Sequence, residues 1–139
     1  MRLMGFNFTR MGIEKFSNSL KGLKITINLD ILEIEQAKAD ILKLKEDLLS
    51  VKFRYAINYE ENIAKVEFEG NILLSLDSKK AKTVLKDWEG KKLVEEVKTP
   101  LLNLILRKAN IKAIQLEEEV GLPTHFNLPT ISSTKKEEN

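Results

Sequence analysis

A chain of 139 residues is long enough to bury one real core and too short for two ordinary domains. Its 23 basic and 21 acidic residues nearly cancel, to a formal charge of +2, which leaves no strong field to steer it toward nucleic acid or anionic lipid. Without cysteine, it has no disulfides, thiolate nucleophiles or thiolate metal sites, in keeping with a reducing cytoplasm.

The first element is GFNFTRMGIEKF, which alternates through Phe6 and Phe8 and then changes phase, so that Met11 and Ile13 become the apolar positions. The slip beside Gly12 predicts an N-terminal strand with a bulge, or two short strands. The stretch MRLMGFNFTRMG lacks the continuous apolar core of a signal peptide. No later stretch approaches the roughly 18 to 20 uninterrupted apolar residues of a membrane span, so no membrane insertion is expected. LKITINLDI then sets Leu23, Ile25, Ile27, Leu29 and Ile31 against Lys24, Thr26, Asn28 and Asp30, a second strand. In EIEQAKADILKLKEDLL, residues Ile34, Ala37, Ile41, Leu44 and Leu48 fall at helical spacing, which reads as a short helix or ordered loop, although Leu42 and Leu44 also fit an extended chain. VKFRYAINY has Val51, Phe53, Tyr55, Ile57 and Tyr59 on one face, a half-buried strand. After Glu60-Glu61-Asn62, the alternation Ala64, Val66, Phe68, Gly70, Ile72, Leu74, Leu76 gives its antiparallel hairpin partner. Gly70 fits a bulge, a close approach of another backbone, or a merely tolerated strand glycine.

The second half is helical. DSKKAKTVLKDWEG offers Asp77 or Ser78 as N-cap, carries Ala81, Val84, Leu85 and Trp88 on one stripe, and stops at Gly90. Val94, Val97, Leu101, Leu104 and Ile105 then recur at helical spacing, and Pro100 predicts a kink or the first turn of a new helix. Ile111 and Ile114 carry the stripe to a stop at Gly121. LPTHFNLPTI closes the ordered part, giving a single α+β domain over 1–131 and a disordered polar tail over 132–139. Strands first and helices after describe an α+β fold, an antiparallel four-stranded sheet with helices packed on one face.

Chemistry is sparse. His125 is the single imidazole, so no multi-histidine metal site exists, and with Leu-Pro on both sides it reads as a partly exposed loop residue rather than a general base. Glu60-Glu61 falls in a hairpin turn and Glu117-Glu118-Glu119 spreads around a helix, so both read as solvated surface. No glycine motif cradles phosphate. No catalytic, cofactor-binding or metal-ligating residue is assigned, and the chain does not read as an enzyme. Nor is a nucleic-acid partner expected. Of the basic residues, 19 are lysine, and only Arg2, Arg10, Arg54 and Arg107 bring the bidentate fork. Lys52, Arg54 and Lys65 also share the strand face opposite Phe53, Tyr55 and Phe68, which separates cations from stacking groups. What exceeds the needs of one small core is apolar surface: both helices carry stripes, LLNLIL is apolar on two faces, and Leu73 lies on the polar side of its strand. Surplus of that kind implies a partner, by oligomerisation or by protein binding.

With KITINLD, the hairpin VKFRYAINY and AKVEFEGNILLSL, a long helix entered through Pro100, and the closing Pro123 and Pro129, the chain resembles the SecB export-chaperone family. It is also similar to short uncharacterised archaeal proteins with a Leu-Pro ending. The resemblance implies a cytoplasmic, ATP-independent holdase for unfolded or nascent polypeptides, assembled as a dimer or tetramer, without cofactors, holding clients in apolar surface grooves. It further implies Phe53, Tyr55, Phe68, Trp88 and Phe126 as peptide-binding aromatics. Leu101, Leu104, Ile105 and Ile111 would form the subunit interface. LPTHFNLPTI would be an extended segment kept out of the sheet by its prolines and anchored by Leu122, Phe126 and Ile131. A ribosome- or ribonucleoprotein-associated structural protein is the alternative from another class. A plain dimerisation domain and an antitoxin-dedicated chaperone are two further uses of the same fold.

Overall fold

Alternation along the two central strands decides which face of the sheet is dry. The computed structural model describes residues 1–19, 23–37 and 46–132. Four strands, β1 (Arg2–Lys15), β2 (Lys24–Ala37), β3 (Asp47–Glu60) and β4 (Ala64–Leu76), precede two helices, α1 (Ser78–Glu89) and α2 (Glu95–Glu119). All neighbours in the sheet are antiparallel, in the order β1-β4-β3-β2, so the long hairpin lies in the middle and β1 and β2 form the edges. Val51, Phe53, Tyr55, Ile57 and Tyr59 of β3, with Val66, Phe68 and Ile72 of β4, are buried beneath the helices. The opposite face is mostly polar, and several of its cations are paired: Arg54 lies 3.8 Å from Asp30, Lys65 2.9 Å from Glu67 and Arg10 3.0 Å from Glu69.

The phase change in β1 is a bulge within one continuous strand. Phe8 sits opposite Gly70 and Arg10 opposite Glu69, so the extra residue is Thr9, not a neighbour of Gly12. Beyond it Met11 and Ile13 face Phe68 and Val66, back on the dry side. The helix expected around EIEQ and EDLL is a correction. Residues up to Ala37 extend β2 and those from Asp47 begin β3, with Ile34 opposite Val51 and Gln36 opposite Leu49. Pairing with a buried neighbour outweighs the weak helical spacing there; the rest of that prediction, 38–45, lies outside the described residues.

Gly70 marks a close approach. A Cβ there would lie 2.5 Å from the Asn7 carbonyl oxygen and 2.6 Å from Phe53 Cζ, because the Phe53 ring lies over its cross-strand neighbour. From that ring an aromatic chain crosses the sheet, Phe6 to Phe53 at 5.3 Å, Phe8 to Phe68 at 5.4 Å, and Phe68 stacked on Tyr55 at 5.8 Å.

Asp77 caps α1, its side chain accepting from the Lys80 N–H at 2.8 Å. The helix lays Ala81 and Val84 against β2 and β3. α2 runs unbroken through Pro100, which neither ends it nor begins a new helix. Its buried residues, Val97, Leu101, Ile105, Ala109, Ala113 and Glu117, recur every four positions. At 3.6 residues per turn such a row drifts about 40° per step, so it winds across a twisted sheet and weakens the one-faced pattern a shorter helix would show. Ala109 and Ala113 let the helix close over bulky Tyr55, Tyr59 and Phe68.

Gly70→Ala should therefore destabilise the protein by about 1–3 kcal/mol through overpacking. Gly12→Ala, whose added Cβ meets nothing within 4 Å, should shift the urea midpoint little; equal shifts for the two would contradict this packing.

Candidate functional site

Edge position and helix placement together leave one apolar surface partly open. Strand β2 pairs with β3 on one side only, in unbroken register from Lys24 to Ile31, before a shift between Ile31 and Glu33. The other edge, β1, is interrupted twice, between Leu3 and Gly5 and between Phe8 and Arg10. Thus β2 offers the longer regular row of unpaired backbone groups. Beside it opens a cleft of about 620 Å³, with Leu29 and Ile31 of β2 on one wall and Trp88, Leu93 and Leu102 on the other. Clefts of about 300–1,000 Å³ are the usual size of ligand sites. Three exposed lysines, Lys91, Lys92 and Lys98, line it as well, with Asp30 the single lining acid among the described residues.

The turn leading out of α1 shapes one wall. Lys91 N–H donates to the Trp88 carbonyl at 2.8 Å and Lys92 N–H to the Asp87 carbonyl at 3.2 Å. This closes a Schellman-type cap in which Lys91, at φ 58°, takes the left-handed position. Gly90, the expected stop, has φ −94°. A lysine held left-handed costs roughly 1 kcal/mol or more, and its ammonium stands 4.8 Å from the Trp88 ring centroid.

At the far end of the sheet the closing segment is pinned by polar groups. Gly121, at φ 73°, ends α2, and Leu122 N–H donates to the Glu117 carbonyl at 2.8 Å. Lys15 Nζ of β1 donates to the Val120 carbonyl at 3.1 Å. The chain then turns back so that His125 enters the interior, its side chain 1% exposed and that of Glu117 0%. His125 Nδ1–H donates to Glu117 Oε1 at 2.9 Å, and Nε2 lies 2.9 Å from Asn110 Oδ1, which also accepts from the Tyr55 hydroxyl at 2.6 Å. Nε2 also lies 3.2 Å from the Tyr55 hydroxyl, so both ring nitrogens meet polar partners inside the protein. The Tyr59 hydroxyl faces Glu117 Oε2 and the Pro123 carbonyl, the latter at 2.7 Å. Burial, and then the negative charge of Glu117, pushes the Tyr55 phenol far above the ordinary tyrosine range. Burial leads for Tyr59 also, followed by its hydrogen bond to Glu117.

Several expectations change here. Phe53, Tyr55 and Phe68 are wholly buried under the helices and closing segment, because β3 and β4 carry the core, and as placed they offer no surface to a peptide. Trp88 is half-buried in the cleft wall, and Phe126 is 40% exposed against the His125 ring. Of the expected interface residues, Leu101 and Ile105 pack in this chain's own core, Leu104 is half-buried beside it, and Ile111 is 57% exposed. The closing segment stays out of the sheet and Leu122 is buried, but Ile131 is fully exposed. Its inner anchor is His125, read from sequence as a loop residue. Glu117, read as solvated, is its partner. The signal for Glu117 was its place on the four-residue row from Val97, since only that acid of the run continues it.

No protein-family model and no curated protein matches the sequence. Among solved structures, a SecB-like chaperone of Mycobacterium tuberculosis, in complex with a ChAD peptide from the HigA1 antitoxin, aligns with a TM-score of 0.51 at 17% identity, over 94% of this chain and 89% of that one. The fold is SecB-like. In this SecB-like chain the cleft and the pinned segment occupy opposite ends of the dry face. Among the described residues no helix is long and apolar enough to cross a membrane, and no cluster of three metal-ligating side chains occurs.

His125→Ala should cost about 3–5 kcal/mol, the penalty for a buried carboxylate left without its partner. Adding Glu117→Leu should recover much of it, measured by urea unfolding as a double-mutant cycle. The two phenols stay neutral in the folded chain but ionise near pH 10 once unfolded. Their contribution is therefore complete below about pH 10 and is lost as pH rises further. Replacing both by Phe should flatten the fall in stability between about pH 10 and 11.5; an unchanged slope would contradict the burial described.

Proposed function

We propose that the protein is an ATP-independent holdase that binds extended apolar segments of unfolded or nascent polypeptides. The observation that carries this reading is the pairing of an open, regular strand edge with an apolar cleft directly beside it. A client strand adding to β2 would satisfy that row of backbone groups, and every second side chain would point into the cleft between Leu29, Ile31 and Trp88. The main-chain bonds give affinity without demanding a sequence, which suits a binder of unfolded chains. The SecB-like fold supports it at the level of architecture, since the Mycobacterium protein was solved with a bound peptide. Because the core aromatics are covered, the site moves from Phe53, Tyr55 and Phe68 to the edge and to Trp88. A dimer or tetramer would cover the outer stripe of α2 through Leu104 and Ile111, seven residues apart on one side of the helix.

At near-stoichiometric amounts and without ATP, the protein should suppress aggregation of a reduced, unfolded model substrate, read by light scattering. Trp88→Ala, and Asn28→Pro to break edge pairing, should each weaken that protection several-fold while leaving unfolding cooperative. Undiminished protection by both variants, or none by the parent protein, would refute the edge-and-cleft site.

A further inference from the structure

The cleft is apolar on its walls but cationic at its lip. Among the described residues, no carboxylate lies within ion-pairing distance of Lys91, Lys92 or Lys98. The lining acid, Asp30, has the Arg54 guanidinium 3.8 Å away. The polar face of the sheet is different: Arg10, Arg54 and Lys65 each face an acid there. Lys91 adds the sharper observation. Its left-handed φ of 58° would suit glycine, yet the glycine of this turn stands one position earlier in an ordinary conformation. Strain of this kind persists where the surroundings hold it, and it gathers at binding sites. Here the strained backbone sets an ammonium over the face of Trp88, at the mouth of the cleft.

We infer that the cleft selects extended segments carrying aspartate or glutamate beside their apolar residues, with Lys91, Lys92 and Lys98 as the specificity-determining cations. This rests on the proposed strand addition at β2 and deepens it by naming the client class. On a strand laid along that edge, a residue two positions from an apolar anchor lies on the same face about 7 Å away. An acid there meets the lysine lip as the anchor enters between Leu29 and Trp88. A basic residue in its place meets like charge, which discriminates by repulsion as well as attraction. The occupant is thus an acidic, apolar stretch of unfolded polypeptide.

Trp88 is the single tryptophan, so its emission reports occupancy of the cleft directly. Three synthetic peptides with the same apolar anchors at every fourth position, and Glu, Gln or Lys two positions from each anchor so that it shares the anchors' face, would be titrated against the full-length protein. The Glu peptide should bind about tenfold more tightly than the Lys peptide at low salt, the combined effect of two or three partly exposed ion pairs. That ratio should shrink toward one near 1 M salt. Lys91→Gly should raise the urea midpoint by relieving the left-handed strain, yet weaken the Glu peptide about threefold and leave the Gln peptide unchanged. Lys91→Glu combined with Lys92→Glu and Lys98→Glu should reverse the order. Equal affinity for all three peptides, or preference for Lys, would overturn the charge selection while leaving the edge-and-cleft reading in place. If none of the three altered Trp88 emission, the edge-and-cleft reading itself would fall, and the charge selection with it.

Discussion

One geometric constraint governs the rest of this structure: the dry face of the sheet is larger than the helix laid across it. Strands of 13 or 14 residues span roughly 46 Å, and four of them about 19 Å in width. The 25-residue α2 is about 37 Å long and about 10 Å across. A single helix therefore covers the middle of that face and leaves its margins wet. At one end the shortfall is met by α1, which buries Ala81 and Val84 over β2 and β3. At the other it is met by the segment following Gly121. Beside β2 it is only partly met, and the cleft with Trp88 in its wall is what remains.

The two covers differ in chemistry. α1 packs its apolar Ala81 and Val84 into the core, whereas the closing segment places a histidine against a buried carboxylate and ties two tyrosines and an asparagine to the same cluster. A buried pair of this kind adds little net stability over an apolar packing of the same shape, but it punishes any arrangement that leaves one member alone. It fixes where the segment lies. That gives the Leu-Pro ending a physical meaning: Leu122 fills the last of the core, the Pro123 carbonyl meets Tyr59, and His125 locks the turn.

Much of the fold was legible because one face of each central strand is buried and the other is not. The alternations in Val51 to Tyr59 and Ala64 to Leu76 encode that directly, and with the element order they lead to a SecB-like α+β architecture. The phase change after Phe8 disclosed the bulge but not its position, since the pattern alone does not separate Thr9 from Gly12. Whether an aromatic is core or surface was less legible. Alternation shows that Phe53, Tyr55 and Phe68 share a face without showing that α2 and the closing segment cover it. Local patterns carry no strand order, so the free edge of β2 had no signature. Lys91 was hidden by its neighbour, because Gly90 already satisfied the expectation of a helix stop.

The edge of β2 is the proposed binding place of an unfolded chain. Amide hydrogen exchange followed residue by residue, with and without a saturating apolar client peptide, tests this most directly. The outward-facing amides between Lys24 and Ile31 should gain protection, together with the backbone around Trp88, while β1 exchanges as before. Protection confined to β1, or none in β2 under conditions where the peptide is demonstrably bound, would contradict it.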